Sequence, residues 1–405
     1  MALQNMNRWS ALFVICIGVV CVLTTWFSAT AVVPELIKAW ELSAGQAAWL
    51  TNGVQIGFVV GAIASSLVNL PDIIRLPKLM ALSALGAAVA NGLLLLEPSI
   101  ELAVGLRFLT GVFLAGVYPA ALKIMSTWFT KGRGLALGFL IGALTIGSSA
   151  PHLFRALIDD IEWHWVVAGS SVATLVGALL FITVVKEGPN AFGRAVFNPR
   201  QCLQVFTSKP LLLVNLGYFG HMWELYAMWA WILAFTNAAA SQLTVVPFGS
   251  TSMFCFVIVA AGSIGCVLGG VLSDKFGRCL TTIGMMFASG VCAFAIGFFF
   301  DGPAWLLAVI AIMWGVTIIG DSAQFSAAVT ELADHHFVGT ALALQLGIGF
   351  ALTVLAISWI PIFVEWIGGW QWAFLLLVPG PVVGIIAMSL LRAHPDAVKL
   401  AGGAK

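Results

Sequence analysis

The sequence predicts an all-α polytopic membrane protein, with twelve transmembrane helices in two pseudo-symmetric six-helix bundles. Three observations carry that expectation. Of the 405 residues, 61% are hydrophobic and only 9% charged, against about 25% charged in a soluble domain. Apolar runs long enough to cross hydrocarbon, roughly 20 residues in a helix, recur twelve times. Basic residues crowd into alternate connections between those runs. A mean hydropathy of +1.04 leaves more apolar surface than a water-soluble core can hide.

The windows fall at about 9–33, 45–69, 78–96, 102–126, 133–154 and 163–185, and then at about 211–236, 251–273, 279–300, 303–327, 337–364 and 371–392. The first run exceeds the roughly 7–15 apolar residues of a signal peptide, so it reads as a span. Between the two sets lies a polar gap with Lys186, Glu187, Gly188, Pro189, Arg194, Pro199, Arg200 and Lys209. The expected domains are therefore an N-terminal bundle over 1–185 and a cytoplasmic central loop over 186–210. A C-terminal bundle with a short tail occupies 211–405.

Charge sets the expected orientation. With the N-terminus inside, most Lys and Arg residues fall in inside loops and tails, including Arg8, Arg75, Lys78, Lys131, Arg133, Lys275, Arg278, Arg392 and Lys405. The outside connections hold Lys38 and Arg155, while Arg107 and Lys123 lie within the fourth span. The positive-inside rule then puts both termini and the central loop in the cytoplasm of a multi-pass inner or plasma-membrane protein.

Several function classes drop out. A net charge of +1 gives no basic field for nucleic acid. Cysteines 16, 21, 202, 255, 266, 279 and 292 form no C-x-x-C pair and read as packing residues, neither disulfides nor a metal site. The chain contains neither a Gly-x-x-x-x-Gly-Lys-[Ser/Thr] loop nor a His-Glu-x-x-His pair. No enzyme activity and no cofactor are expected; the expected partners are a small-molecule substrate, the lipid bilayer and protons, with the chain a monomer.

The halves repeat at a nearly constant offset. Gly111 and Gly116 of the fourth span sit 204 residues before Gly315 and Gly320 of the tenth. Gly134, Ala136, Leu137 and Gly142 of the fifth sit 205 before Gly339, Ala341, Leu342 and Gly347 of the eleventh. Small residues let helix backbones approach, so such repeats mark equivalent contacts.

Between the eighth and ninth windows stands Gly270-Val271-Leu272-Ser273-Asp274-Lys275-Phe276-Gly277-Arg278-Cys279. This charged, glycine-rich turn resembles the loop signature G-x-x-x-D-[RK]-x-G-R-[RK] of the major facilitator superfamily, with Cys279 departing from the last basic position. Its first-half counterpart, Asn69 to Lys78, keeps Asp72 and Arg75 but has two prolines and no glycine. Arg107-Phe108-Leu109-Thr110-Gly111 is similar to the family's fourth-helix pattern R-F-x-x-G. Trp128-Phe129 with Arg133 to Ala136 resembles its run into the fifth helix. The antiporter pattern G-P-x-x-G-G is missing; Pro151 stands alone. The resemblance implies alternating access around one substrate site near the midplane. It also implies conformational gating by Gly270, Asp274, Lys275, Gly277 and Arg278, with Asp72 and Arg75 as the weaker copy.

Ionisable groups inside spans are expensive and so mark functional candidates. There are four: Arg107, Lys123, Glu224 and Asp321. Arg107 and Tyr118, eleven residues apart, are expected on one face close to three turns long. They either present a cation and a phenol to an anionic substrate or, for the arginine, bond backbone carbonyls. Lys123 is a second anion contact or snorkels to the surface. In the seventh span His221, Glu224, Met228 and Trp231 share a face, with His221 in reach of Glu224 at i,i+3. Proton coupling is assigned to Glu224, His221 and Asp321, the last with interhelical bonding as its alternative. Asn52, Gln55, Trp231 and Gln345 join Arg107, Tyr118 and Lys123 as substrate-binding candidates, or glue helices together. His152 and Arg155 are expected to pair with Asp159 or Asp160.

With both cations in the first half and both carboxylates in the second, the expected function is secondary active transport of a small organic anion coupled to protons. The alternative is an efflux or facilitated carrier of a neutral or cationic compound, and the less favoured class is a polytopic enzyme or sensor.

Overall fold

The computed structural model describes residues 6–68, 70–129, 133–157, 162–190, 207–333 and 338–404. Lys131, Asp159, Asp160, Arg194, Arg200, Cys202 and Lys405 lie outside them, as do the side chains of Asp72 and Arg133. The helices are α1 (Arg8–Leu23), α2 (Val33–Trp40), α3 (Ala44–Leu67), α4 (Leu70–Ile73), α5 (Leu76–Gly92), α6 (Ile100–Leu114), α7 (Tyr118–Trp128), α8 (Arg133–Leu157) and α9 (Trp163–Thr183). After the central connection come α10 (Lys209–Ala240), α11 (Thr251–Phe276), α12 (Arg278–Ala295), α13 (Ala304–Gly320), α14 (Ser322–Leu332), α15 (Val338–Ile367) and α16 (Pro379–Ala393).

Among the described residues ten helical stretches are long and apolar enough to cross a membrane. The α6–α7 and α13–α14 pairs each count there as one stretch. With α1 and α10, twelve spans result. α1 has 16 residues, shorter than its 9–33 window, because the chain leaves the α-helix at Thr24 and re-forms at Val33 as α2. α10 is long enough at 32 residues, and its His, Glu, Tyr and Trp content lowers its hydropathy.

Local chemistry sets the ends. Asn7 and Ser43 close capping boxes with Ser10 and Gln46 at the starts of α1 and α3. α2 opens on Pro34 and Glu35, and stops at Glu41 in the left-handed region. Two spans break inside. Between α6 and α7 the amides of Gly116 and Val117 bond back only three residues, to Phe113 and Leu114, ahead of Pro119. Between α13 and α14 the break falls at Asp321, whose carbonyl accepts from Gln324 N. The two breaks sit near Gly116 and Gly320, which the repeat makes equivalent.

The chain divides into two compact units, Met1–Arg194 and Ala195–Lys405. In the first, α3 packs on α6, α5 on α9, and α1 on both α8 and α9. In the second, α11 packs on α13, α12 on α16, and α10 on both α15 and α16. The same pairings recur span for span. At the α3–α6 contact a Cβ on Gly111 would collide with the Val54 carbonyl; at the α11–α13 contact one on Gly315 would collide with that of Ile258. In each unit, then, backbone touches backbone where the repeat places its glycine. Large apolar side chains such as Leu179, Phe287 and Val383 stay exposed, as a hydrocarbon solvent allows.

Gly315→Val should therefore force α11 and α13 apart. Overpacking of this kind costs about 1–3 kcal/mol, so the purified variant should melt several degrees below the parent in detergent.

Candidate functional site

The first unit closes its polar interior around Arg107 of α6, which is fully buried. Its Nε donates to Leu50 O at 3.1 Å. Nη1 reaches Thr25 O at 2.9 Å, Asn91 Oδ1 at 2.8 Å and Ser28 Oγ at 3.2 Å, and Nη2 donates to Trp26 O. Asn91 in turn accepts from Ser28 Oγ at 2.6 Å and donates to Ser171 Oγ at 3.0 Å. The guanidinium thus joins α6 to the end of α1, to α3 and to α5, and through Asn91 to α9. An anion would have to displace one of these acceptors to reach it.

The other first-unit candidates are scattered. Asn52 and Gln55 of α3 are fully buried, and neither amide atom of Gln55 has a hydrogen-bond partner. Tyr118 opens α7 and Lys123 follows on it, both half-buried. The helix break at Ala115–Val117 interrupts the single face expected for Arg107 and Tyr118. Arg155 of α8 pairs with Glu35 of α2, Nε to Oε1 at 2.9 Å, and the nearby His152 is buried with Nδ1 unpartnered.

The second unit gathers its ionisable groups. Glu224 of α10 is 1% exposed. Trp314 Nε1 of α13 donates to its Oε1 at 2.7 Å, and Ser289 Oγ of α12 donates to its Oε2 at 3.0 Å. An indole N–H only donates, whereas a hydroxyl both donates and accepts. A proton arriving at Glu224 therefore fits on Oε2, where Ser289 can turn and accept it while donating to Met286 O, 3.2 Å away.

His221, one turn earlier on α10, does not join Glu224 as its spacing suggested. Its Nδ1 lies 2.9 Å from Asp321 Oδ1 at the α13–α14 break. The contact lacks hydrogen-bond alignment, and His221 Nε2 has no partner. The break explains why the sequence pointed to Glu224: helical spacing on α10 says nothing of what a neighbouring broken helix turns inward. Trp231, on the same helix, donates Nε1 to Ile357 O at 2.9 Å. Gln345 of α15 is fully buried, with Oε1 3.5 Å from Ser326 Oγ and Nε2 unpartnered.

The α11–α12 turn is a single residue. Gly277 has φ 88° and ψ 166°, a region essentially limited to glycine. Gly270 is buried in α11 while Lys275 is exposed, its ammonium 5.2 Å from the Phe276 ring. Arg278 Nη1 donates to Ser273 Oγ at 2.7 Å and Gln324 Oε1 at 2.8 Å, and Nη2 to Glu331 Oε1 at 2.9 Å. Asp274, 63% exposed, stands 3.9 Å from Arg278. Glu331 is thus the nearer carboxylate, and its Oε2 also accepts from Ala401 N at 2.9 Å. In the first unit Arg75 is exposed at the start of α5.

Sequence reasoning missed Ser289, Trp314, Asn91 and Glu331. Nothing in their spacing marks them, since each matters through a helix distant in the chain. Among the described residues no group of three or more His, Cys, Asp or Glu is placed to hold a metal ion.

The chain resembles the multidrug efflux pump LfrA of Mycolicibacterium smegmatis, 28% identical over 39% of this chain and 31% of the pump. It resembles the gentisate transporter of Corynebacterium glutamicum, 22% identical over 88% of this chain and 81% of that protein. With the MFS-type transporter pynF of Aspergillus niger it shares 21% identity over 57% of this chain and 52% of the relative. The chain thus spans about half or less of the length of two of these three relatives. A solved bacterial homologue of the human lysosomal transporter Spinster superposes with a TM-score of 0.68, at 15% identity, over 97% of both chains. The family model described as Major Facilitator Superfamily matches residues 15–356, and the chain belongs to that superfamily of membrane transporters.

Proposed function

We propose that this transporter carries a small organic anion together with protons, by the alternating-access cycle of its family, across the inner or plasma membrane with both termini cytoplasmic. The observation that carries the reading is the buried carboxylate of Glu224, held by one group that only donates and one that can reverse. An intramembrane carboxylate set in such a cradle suits a group that gains and loses a proton. Asp321 and His221 extend the relay. Asn52, Gln55, Tyr118, Lys123, Trp231 and Gln345 supply polar and aromatic contacts to the substrate. Arg107, whose donors are already engaged, acts mainly by fixing the helices that present Asn52 and Gln55. The likeness to a protein named for gentisate, a carboxylate, agrees with an anionic cargo. The likeness to a multidrug pump favours a second reading, efflux of a neutral or cationic compound, in which Glu224 and Asp321 touch the substrate instead.

The α11–α12 turn serves as the gate, with Arg278 clasping Glu331 when the helix ends come together. Asp72 and Arg75 form a lesser copy of it.

In proteoliposomes, Glu224→Gln should abolish accumulation driven by a pH gradient while leaving counterflow of the same solute intact. Accumulation at the parent rate would remove Glu224 from coupling. Substrate contact by Glu224, as in the efflux reading, predicts instead that counterflow is lost as well. A second comparison concerns the gate: at equal expression, Asp274→Asn should slow transport more than Asp72→Asn, and the reverse order in initial rates would assign gating to the first half.

A further inference from the structure

Among the buried nitrogens of the second unit's described residues that lack a hydrogen-bond partner are His221 Nε2 on α10 and Gln345 Nε2 on α15. The side chains are 1% and 0% exposed. Their helices meet around the same rings. Phe325 of α14 lies 5.6 Å from the His221 ring and 5.9 Å from Tyr218, and its neighbour Ser326 is the contact of Gln345 Oε1. Tyr218 packs against Gly349, one turn beyond Gln345, where a Cβ would collide with the ring. Buried polar groups in native proteins are nearly always bonded, so two orphaned nitrogens on packed helices ask for a common ligand.

The opposite edge of each group already faces a polar neighbour. Asp321 Oδ1 stands 2.9 Å from His221 Nδ1, so Nε2 lies on the ring edge away from that carboxylate. Ser326 stands at the oxygen of Gln345, leaving its NH2 to donate. Two other charges approach along the helices that pack here: Glu224 stands one turn from His221, and Arg278 of α12 donates to Gln324, the residue before Phe325. Glu224 occupies α10 itself, bonded to α12 and α13. The ionisable groups of α11, α14, α15 and α16 — Asp274, Lys275, Glu331, Glu365 and Arg392 — sit in the last turns of those helices.

We propose that His221 Nε2 and Gln345 Nε2 form the carboxylate-binding subsite of this carrier, with the imidazole protonated and Asp321 as its counter-ion. The proposal rests on the proton-coupled anion reading above and names the group that joins proton to anion. Imidazolium Nε2–H donates to one carboxylate oxygen and the Gln345 amide to the other. A neutral ring would leave the substrate anion facing Asp321 across an uncharged spacer, and like charges in a low dielectric repel. The anion therefore binds only with a proton on His221. One proton and one carboxylate enter together, and no covalent bond changes except N–H. Tyr218 and Phe325 exclude water and suit a flat apolar body on the substrate.

The test is ligand binding to the purified full-length protein in detergent, read by calorimetry from pH 5 to 8. The probes are acetate, lactate and benzoate, with benzamide as the neutral control. A carboxylate should bind more tightly as pH falls, and benzamide should not bind. His221→Gln, which keeps a neutral donor near the Nε2 position, should weaken binding at least tenfold at pH 5 and flatten its pH dependence. Gln345→Leu should weaken it about tenfold with the pH profile kept, the scale of one hydrogen bond to a charged group. Parent affinity and parent pH profile in His221→Gln would overturn the proposal, as would absence of binding by all three carboxylates. Should another anion still be driven by a pH gradient in proteoliposomes, that loss falls on the subsite alone and the coupling reading stands. Carboxylate binding that depends on His221 in a protein showing no pH-driven flux would support the subsite and overturn the coupling.

Discussion

Inside a bilayer there is no water to complete a hydrogen bond, so each buried polar group depends on a partner that the protein itself supplies. The two halves of this transporter meet that constraint differently around their buried ionisable groups. Around Arg107 the first half meets it generously: three backbone carbonyls, Ser28 and Asn91 surround the guanidinium. Leaving one such group unsatisfied costs about 1–3 kcal/mol, so several engaged together make the arginine a fastening point for four helices. Elsewhere both halves meet it only in part, Gln55 of the first half lacking a partner at either amide atom. His221 and Gln345 keep orphaned nitrogens, and Glu224 rests on a hydroxyl free to reverse.

A repeat is thus put to two uses without changing its architecture. Glycine contacts, helix pairings and the mid-span breaks recur from half to half. The side chains set on that frame do not. The break in the fourth span follows Gly116 and precedes Pro119, and no charge sits in it. The equivalent break in the tenth carries Asp321 and aims it at His221. Non-helical backbone at membrane depth is tolerated where it is enclosed by protein, and here it sets a carboxylate where an unbroken helix would not.

Much of the fold was legible in the sequence because its causes are local. Length of apolar run, capping residues and a single glycine turn at Gly277 are each decided within a few positions. The repeat at 204 residues was legible for the same reason, since a glycine at a close contact has no substitute. The site was legible only as an inventory. Glu224, His221 and Asp321 stood out because charge in hydrocarbon is rare, but their pairing did not follow from spacing. Helical periodicity joined His221 to Glu224 and Arg107 to Tyr118. In the fold His221 turns to another helix, and a tightened turn interrupts the second pair. Asn91, Ser289 and Trp314 were invisible, because each is an ordinary residue until a distant helix brings a charge to it.

On the proposal made above, a proton and the carboxylate of an organic anion are bound by one linked polar cluster in the C-terminal half. The most direct measurement is proton exchange on ligand binding, followed with a pH indicator in lightly buffered detergent solution at neutral pH. Linkage predicts net uptake approaching about one proton per carrier as a bound carboxylate saturates the protein. Saturation with no proton taken up, or with protons released, would contradict it.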